Sequence, residues 1–266
     1  MEQKRIIAFD SDGCVLNAME PKHRYCFGPA AVEVYGLETM KDAFLAEWNR
    51  VNLYAPTRGI NRFAGLVEVF ENLRQMGYAL PAQDALRDWC GAAPALSETL
   101  LEQDSAGNRT LEMALEWSRR VNQMTREIGN KIVPFSGAAE AVHAAAECAD
   151  VAVVSSAREG QIRAEWQKFG IASCVKWFHG QESGVKAQCL AKLKAQTGAE
   201  ILMVGDALGD LDAAQQNGLL FYPIQPGAEP AAWQAFRSRY LPMFRRGAYT
   251  MENENVQTFL RYMKRI

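Results

Sequence analysis

Short apolar runs that stop at polar residues recur along the chain, and helical patterns separate most of them. The first run, RIIAF at residues 5–9, ends at Asp10. Later runs lie at residues 151–154 (VAVV), 174–178 (CVKWF) and 201–204 (ILMV), with a further candidate from Leu219 (LLFYPI). Apolar runs of this length are typical of strands that are buried in a parallel sheet.

Stretches with a helical pattern lie between these runs, at residues 137–149, 160–170, 185–198 and 210–218. Alternation of short strands with helices of this length indicates βαβ units. The sequence therefore predicts an α/β fold whose parallel sheet is covered by helices on both faces. Two tail segments, residues 231–246 and 256–266, are expected to form helices that pack on this core.

The segment from residue 19 to residue 130 has a different pattern, without strand-like runs. Its clearest helix is FAGLVEVFENLRQMG, where apolar residues recur at helical spacing and Gly77 supplies the stop. The apolar positions of this stripe are Phe63, Leu66, Val67, Phe70 and Leu73. We predict a helical domain at 19–130, inserted into a core formed by 1–18 and 131–266. Further helices are expected around residues 30–35, 40–50, 81–90 and 110–128.

Composition narrows the classes of binding partner and the cellular compartment that we expect. The chain is 48% hydrophobic and 23% charged, as in ordinary globular proteins, and its formal charge is -2 at an estimated pI of 6.0. Such a chain has no basic surplus for nucleic acid or an anionic membrane, so neither partner is expected. Six cysteines without a C-x-x-C pair predict reduced thiols. Because no signal-peptide pattern or membrane-length apolar run is present, we expect a cytoplasmic protein.

Polar residues follow the ends of several predicted strands. Asp10 and Asp12 come after the first run, Ser155 and Ser156 after VAVV, Lys186 begins a predicted helix, and Asp206 and Asp210 follow ILMVG. In open α/β sheets, ligands bind at the carboxyl ends of the strands. The sequence therefore predicts one site at that edge.

Four of these segments, in order, carry a specific resemblance to one family. IIAFDSDGCVLN, VAVVSS, GVKAQCL and LMVGDALGD resemble the first to fourth motifs of the haloacid dehalogenase-like hydrolases. The resemblance spans essentially the whole chain, and it implies a Rossmann-like core with a helical cap inserted between the first two motifs. Two departures are that Cys14 stands where Thr or Val is common and that no proline follows Lys186.

The resemblance implies a role for each polar residue. Asp10 is the expected nucleophile, which forms an aspartyl-phosphate, and Asp12 is the expected general acid and base. Mg²⁺ is the expected cofactor because a carboxylate attacks phosphorus only when the repulsion between the anions is cancelled. Its ligands would be the Asp10 and Asp206 side chains and the Asp12 carbonyl, with Asp210 in support. Ser155 and the Ser156 amide would bind phosphate, and Lys186 would add positive charge.

Simpler interpretations exist for single residues. D-x-D-G is also a turn pattern, and G-D-x-x-x-D is also a helix start. Either Ser155 or Ser156 could only cap a helix, whereas Lys192 and Lys194 fit solvated positions better than Lys186 does. The order of the four segments along the chain and their placement at predicted strand ends together favour the functional interpretation.

Two arginines in the inserted segment, Arg58 and Arg62, are possible contacts to a substrate anion, with Asn61 between them in APTRGINRF. The alternative interpretation is that both arginines lie on a solvated surface. Among the histidines, His143 is expected to be structural, and His179 lies nearer the predicted site.

These features predict a Mg²⁺-dependent hydrolase of phosphate monoesters that acts on a small phosphorylated metabolite. The alternatives are a phosphomutase, a phosphonate-cleaving enzyme, or a binding protein that has kept the fold without turnover. The sequence predicts neither the substrate nor the oligomeric state.

Overall fold

The computed structural model describes residues 4–128, 131–251 and 254–264. Within it the chain divides into two compact units, which we call the core unit and the cap unit. The core unit comprises Met1–Asn17 and Val133–Ile266, and the cap unit comprises Ala18–Ile132. The boundaries predicted above, at 18/19 and 130/131, fall within two residues of these.

A parallel sheet of five strands forms the centre of the core unit. The described residues form seven strands, which are β1 (Arg5–Phe9), β2 (Leu16–Asn17), β3 (Val133–Pro134), β4 (Asp150–Val154), β5 (Val175–His179), β6 (Glu200–Gly205) and β7 (Leu220–Pro223). The sheet has the order β5-β4-β1-β6-β7, and every neighbouring pair is parallel. All five predicted strands are confirmed, each within one residue of its expected start.

Strand β1 lies at the middle of the sheet, where the strand order reverses. After β4 and β5 have been added on one side of β1, the chain crosses over and adds β6 and β7 on the other side. The gap between the loops that leave β1 and its neighbours is the place where open α/β sheets bind ligands. This topology sets Asp10 at the reversal point.

Helices cover both faces of the sheet, as predicted. The core helices are α8 (Ala138–Ala146), α9 (Glu159–Lys168), α10 (Lys186–Thr197), α11 (Leu208–Gln216), α12 (Glu229–Ala235), α13 (Leu241–Arg245) and α14 (Glu254–Met263), and a π-helical turn joins α12 to α13. On one face, Ile6 and Ala8 share a buried cluster with residues of α10, α11 and α14. On the other face, the ring of Phe9 lies 6.0 Å from that of Trp233 in α12. Because successive side chains of a strand point to opposite faces, a strand buried on both faces is apolar throughout.

The short pair formed by β2 and β3 was not predicted. The two strands are antiparallel, and Leu16 pairs with Pro134 and Asn17 with Val133. Strands of two residues leave no pattern of alternation in a sequence.

The described residues of the cap unit form helices, turns and loops. The helices are α1 (Met19–Lys22), α2 (Gly28–Tyr35), α3 (Lys41–Leu53), α4 (Arg62–Gln75), α5 (Asp84–Ala92), α6 (Glu98–Asp104) and α7 (Arg109–Glu127), and a π-helical turn, His23–Phe27, joins α1 to α2. The stripe predicted on α4 is buried in the apolar core of this unit. The sequence predicted α2, α3, α4, α5 and α7, and it missed α1 and α6.

No helix in the described parts of the chain is long and apolar enough to cross a membrane.

Candidate active site

Asp10 directly follows β1 and is 5% exposed. Its amide donates a hydrogen bond of 2.9 Å to the carbonyl of Val204, which continues the pairing of β1 with β6. The backbone at Asp10 is therefore held by the sheet. A carboxylate placed in this way has little freedom, as a reacting group requires.

The loop after Asp10 is anchored by its own backbone and by two tryptophans. The Leu16 amide donates to the Ser11 carbonyl at 2.9 Å. Gly13 adopts a φ of 90°, which favours glycine. Trp166 Nε1 of α9 donates to Ser11 Oγ at 2.9 Å, and Trp233 Nε1 of α12 donates to the carbonyl of Cys14 at 3.2 Å. Asp12, which is half-buried, lies within this anchored loop.

A second pair of carboxylates lies where β6 ends and α11 begins. Asp206 is 2% exposed and Asp210 is fully buried. Asp210 Oδ2 accepts hydrogen bonds from the amides of Asp206 (3.2 Å) and Ala207 (3.1 Å). These amides belong to the start of α11, where a carboxylate is stabilised by free N–H groups. A Cβ on Gly205 would lie 2.4 Å from Asp210 Cγ, so glycine makes room for this carboxyl group.

Lys186 joins the two pairs of carboxylates. It is the first residue of α10, and its Nζ lies 2.9 Å from Asp10 Oδ1 and 2.5 Å from Asp210 Oδ1. Its side chain is 14% exposed. One cation thus bridges two carboxylates that are contributed by different strands of the sheet.

Burial governs the electrostatics of this cluster. Burial raises the pKa of Asp10 from 3.8 to about 8. The positive charge of Lys186 opposes this rise, and the negative charges of Asp210 and Asp206 add to it. Burial alone would lower the pKa of Lys186, but the carboxylates of Asp10 and Asp210 raise it well above its ordinary value. The lysine is therefore charged, and the carboxylates still carry an excess of negative charge that a cation would neutralise.

The oxygens of three carboxylates meet closely enough to hold a metal ion. One oxygen from each of Asp10, Asp206 and Asp210 lies within 4.8 Å of the others. Carboxylate oxygens are hard ligands and suit Mg²⁺, which usually keeps several waters. The donor set present therefore fits the magnesium ion expected from the sequence.

Ser155 and Ser156 follow β4, the neighbour of β1. Ser155 is 5% exposed, and its amide donates to the carbonyl of His179 at 2.9 Å. Its Oγ accepts a hydrogen bond of 3.3 Å from the amide of Ala157, so the hydroxyl takes part in a local turn. An accepting hydroxyl keeps its own proton for another acceptor. Ser156 is half-buried in the same turn.

Comparison with known proteins gives a family. The family model described as haloacid dehalogenase-like hydrolase matches residues 4–218, which is most of the chain. The protein is a haloacid dehalogenase-like hydrolase. No curated protein matches it.

Solved structures agree with the family at the level of the fold. A protein described as a predicted phosphoglycolate phosphatase from Haemophilus somnus 129pt has a TM-score of 0.56 and 17% identity, over 84% of this chain and 86% of its own. A hydrolase from Pseudomonas syringae has a TM-score of 0.54 and 14% identity, over 87% of this chain and 89% of its own. At such identities the likeness establishes the shared fold.

The cap of this haloacid dehalogenase-like hydrolase contains Arg58 and Arg62. Arg58 is 7% exposed and donates to the carbonyl of Leu53 at 3.2 Å, so it does not lie on a solvated surface. Arg62 is half-buried, and its Nη1 donates to Asn122 Oδ1 at 2.9 Å. Asn61 has a structural role, because its Oδ1 caps α4 by accepting a hydrogen bond of 2.9 Å from the Phe63 amide.

The histidines and Cys14 occupy varied surroundings. His143 is exposed and lies 3.2 Å from Cys174 Sγ. Burial lowers the pKa of His179, which is half-buried. Cys14 is buried, and its Sγ donates to the Val204 carbonyl at 3.5 Å. All six cysteines are free thiols.

Sequence reasoning missed two tryptophans at this site. Trp166 and Trp233 anchor the loop after Asp10 from positions 155 and 219 residues away. The local sequence pattern around these residues does not indicate a partner that is so distant in sequence.

Proposed function

We propose that this haloacid dehalogenase-like hydrolase cleaves small phosphate monoesters with the aid of Mg²⁺. The observation that carries the proposal is the buried cluster in which Asp10, at the end of β1, shares Lys186 with Asp210 beside Asp206. A nucleophilic carboxylate, a set of hard ligands and a fixed cation are what phosphoryl transfer needs in one place. The expected substrate is a small phosphorylated metabolite.

The proposed ligands of Mg²⁺ are the side chains of Asp10 and Asp206 and the carbonyl of Asp12, with Asp210 in support. When bound, the ion would offset the negative charge that a phosphate group brings to these carboxylates. Asp210 accepts from two backbone amides and from Lys186, so its carboxyl group is oriented before any ligand arrives. Such support keeps metal ligands in place.

In the proposed first step, an oxygen of Asp10 forms a bond to phosphorus while the bond from phosphorus to the ester oxygen breaks. Asp12 gives its proton to the departing oxygen, which leaves as an alcohol. In the second step, water attacks the phosphorus of the aspartyl-phosphate and Asp12 takes a proton from that water. Asp10 is restored and inorganic phosphate is released.

Lys186 and the residues after β4 would stabilise the phosphoryl group. The lysine is held by Asp10 and Asp210 and can turn one of its three N–H donors to a phosphate oxygen. Ser155, with its own hydroxyl proton, and the Ser156 amide are the proposed neutral donors.

The test is phosphate release from an aryl phosphate and from a panel of phosphorylated metabolites, with Mg²⁺ and with a chelator. We expect turnover that depends on Mg²⁺ and falls about a thousandfold or more in Asp10→Asn. Asp212→Asn is the matched control, because Asp212 is an exposed carboxylate on α11, two residues from Asp210. Activity that survives Asp10→Asn would refute the assigned nucleophile, and no release from any ester would favour a binding protein.

A further inference from the structure

A thiol and an imidazole lie next to each other at the surface of the core unit. Cys174 Sγ is 3.2 Å from His143 Nδ1, which is a hydrogen-bond distance. His143 is exposed on α8, and Cys174 is half-buried at the end of a 3₁₀ turn, Ala172–Cys174, that leads into β5. We call Cys174 and His143 the thiol–imidazole pair.

The thiol–imidazole pair lies at the edge of the sheet opposite to the candidate active site. Cys174 comes directly before β5, whereas Asp10 comes directly after β1. Because β1, β4 and β5 are parallel, they start at one edge of the sheet and end at the other. A strand of five residues such as β5 spans about 16 Å. The chemistry proposed at Asp10 therefore makes no use of these two side chains.

The imidazole provides the base that this thiol needs in order to react. The thiolate is the nucleophilic form of cysteine. Burial raises the pKa of Cys174, although a hydrogen bond with Ser173 lowers it, so the thiol is protonated at neutral pH. Histidine is the side chain that most often accepts protons near neutral pH. His143 Nδ1 can take the thiol proton when the ring's own proton is on Nε2.

Cys148 is also half-buried but has a different hydrogen-bond partner. Its Sγ donates to the carbonyl oxygens of Ala145 at 3.5 Å and Ala144 at 3.8 Å. A carbonyl oxygen accepts a hydrogen bond, but it is too weak a base to take the proton of a thiol. Comparison of Cys148 with Cys174 therefore isolates the effect of the imidazole.

The other four cysteines are less available for reaction. Cys14, Cys26 and Cys189 are buried. Cys90 is half-buried in the cap unit, and burial raises its pKa to about 11. Burial limits access of a reagent to the sulfur, and a raised pKa keeps the thiol protonated. We therefore expect Cys174 to be the most reactive cysteine of the chain.

Charged side chains of both signs lie on the elements that pack against α8 or the 3₁₀ turn. On α8 and just after it, Glu140 and Glu147 lie three residues before and four residues after His143. Near the starts of β4 and β5, Asp150 and Lys176 pair with each other at 3.0 Å. The end of α9 and the π-helical turn after α12 add four more charged residues, which are Glu165, Lys168, Arg237 and Arg239. Because acidic and basic groups are equal in number here, the reactivity of Cys174 depends on the imidazole and not on a net charge.

We propose that the thiol–imidazole pair makes Cys174 a modification site for small disulfides, by thiol–disulfide exchange. His143 Nδ1 takes the proton of the thiol while Cys174 Sγ bonds to one sulfur of the disulfide and the S–S bond breaks. The second sulfur leaves as a thiolate and takes the proton from the imidazolium, so the products are a mixed disulfide on Cys174 and a free thiol. The disulfide is the oxidant, and an excess of thiol reverses the reaction. This site does not depend on the proposed function.

The test is the rate of mixed-disulfide formation at each cysteine with dithiodipyridine, an uncharged disulfide, mapped by mass spectrometry of peptides. A chelator keeps metal ions away from the sulfur and the nitrogen. At pH 7 we expect Cys174 to react about tenfold faster than Cys148, or more. His143→Gln keeps a polar side chain without a base, so it should slow Cys174 about tenfold and leave the rate of Cys148 unchanged. As the pH rises toward about 10, thiolate forms without a base, and wild-type protein and His143→Gln should react at similar rates.

Two further variants separate the action of a base from damage to the fold. His179→Gln is the matched control, because it makes the same replacement at the other end of β5, and it should leave both rates unchanged. Cys174→Ser should lose the fast-reacting site and keep the rate of Cys148. Circular dichroism of each variant verifies that the core helices remain.

Equal rates at Cys174 and Cys148, or a Cys174 rate that His143→Gln leaves unchanged, would overturn the proposal. A loss of rate in His143→Gln that persists at high pH would also overturn it, because His143 would then control only access to the thiol. Phosphate release by the wild-type protein is scored independently. Failure of hydrolysis with a fast, His143-dependent reaction at Cys174 would therefore remove the proposed function and leave this site.

Discussion

The core unit and the cap unit each contain a buried cluster with an ionisable side chain, and burial shifts the pKa of that side chain in opposite directions. In the core, Asp10, Asp206 and Asp210 lie close together, and Lys186 Nζ lies within 2.9 Å of Asp10 and Asp210. Burial raises the pKa of Asp10 to about 8. In the cap, the ring of His23 stacks on Phe27 and Trp48, and burial lowers its pKa to about 3. Both shifts favour the neutral form of the buried group, but three carboxylates meet in the core, where a metal cation could bind.

The clusters also differ in how they are held. In the core, the Asp210 carboxylate accepts from the backbone amides of Asp206 and Ala207. In the cap, His23 Nδ1 accepts from the side chain of Trp48. A contact from the backbone survives replacement of a neighbouring side chain, whereas a contact from a side chain is lost with it.

Removing the core cation should have the largest effect. Lys186→Met leaves Asp10 and Asp210 without their shared partner, and breaking a buried pair costs about 3–5 kcal/mol of unfolding free energy. We expect turnover to fall about a hundredfold or more, since a fixed charge at the phosphoryl group is lost. Chemical denaturation and phosphate release measure both effects.

The metal distinguishes this explanation from simple damage to packing. In Lys186→Met, Mg²⁺ should restore part of the lost stability, because it neutralises the same carboxylates. Lys192→Met is the control: Lys192 is exposed on the same helix and donates to the Ser183 carbonyl. If Mg²⁺ stabilised the wild-type protein and Lys186→Met by the same amount, the lysine would not compete with the metal for the cluster.

The pH dependence of stability should have opposite signs in the two clusters. The pKa of His23 is lowered from 6.5 to about 3, so its contribution is complete above pH 6.5 and is lost as pH falls toward 3. The pKa of Asp10 is raised from 3.8 to about 8, so its contribution is complete below pH 3.8 and is lost as pH rises to about 8. Between pH 6.5 and 8 the core effect therefore acts without the cap effect.

Denaturation in the presence of a chelator, at several pH values, tests the sign of the pH dependence that Asp10 contributes. The free energy of unfolding should fall across pH 6.5 to 8 by up to about 1.4 kcal/mol per unit, and Asp10→Asn should abolish the slope. Stabilisation by Mg²⁺ should grow over the same range, because ionised carboxylates bind the metal. A slope that persists in Asp10→Asn belongs to another group.

Much of the core could be predicted from the sequence, for a physical reason. A strand buried on both faces must be apolar, so its end is visible where polar residues begin. RIIAF stops at Asp10 and ILMVG at Asp206, and the parallel order brings those ends to one edge. Lys186 could be placed because it begins the helix after the third run. The partners Trp166 and Trp233 could not, because a contact across more than a hundred residues leaves no local signal.

The cap was less predictable because a helical pattern records only which face is buried. The stripe on α4 gave its packing face, and the polar residues beside it looked like solvated surface. Burial of Lys22, His23 and Arg58 depends on how helices cross, and periodicity does not contain that information. The short helix α6, which supplies Glu98, has no long apolar stripe and was missed. The sequence therefore predicted the strand ends of the core and the packing face of α4, and it did not predict which polar residues of the cap are buried.

Adding a methyl group to one glycine in each unit should affect the core unit and the cap unit differently. A Cβ at Gly205 would lie 2.4 Å from Asp210 Cγ, and a Cβ at Gly65 would lie 2.7 Å from Asn52 Oδ1. Overpacking costs about 1–3 kcal/mol. In Gly65→Ala, about 1 kcal/mol is regained because alanine favours the interior of α4.

We expect Gly205→Ala to be the more destabilised of the two and to bind Mg²⁺ more weakly, since Asp210 must move. Gly65→Ala should keep the affinity for Mg²⁺. Thermal denaturation with and without Mg²⁺ measures both quantities. Equal loss of Mg²⁺ affinity in the two variants would contradict a metal site confined to the core.

The smallest effects are expected from two buried indole hydrogen bonds, one in each unit. Trp166 Nε1 donates to Ser11 Oγ at 2.9 Å in the core, and Trp48 Nε1 donates to His23 Nδ1 at 3.1 Å in the cap. Replacing either tryptophan by phenylalanine keeps a ring and removes the donor, at a cost of about 1–3 kcal/mol. Trp166→Phe should lower kcat for every ester, because the loop that carries Asp12 loses an anchor. Trp48→Phe should instead lower the free energy of unfolding and keep kcat closer to that of the wild-type protein, because His23 Nδ1 loses its donor while the core is unchanged.

Steady-state kinetics and chemical denaturation of both variants would show whether turnover depends on the core bond and not on the cap bond. A kcat loss in Trp48→Phe that is as large as that in Trp166→Phe would contradict that division.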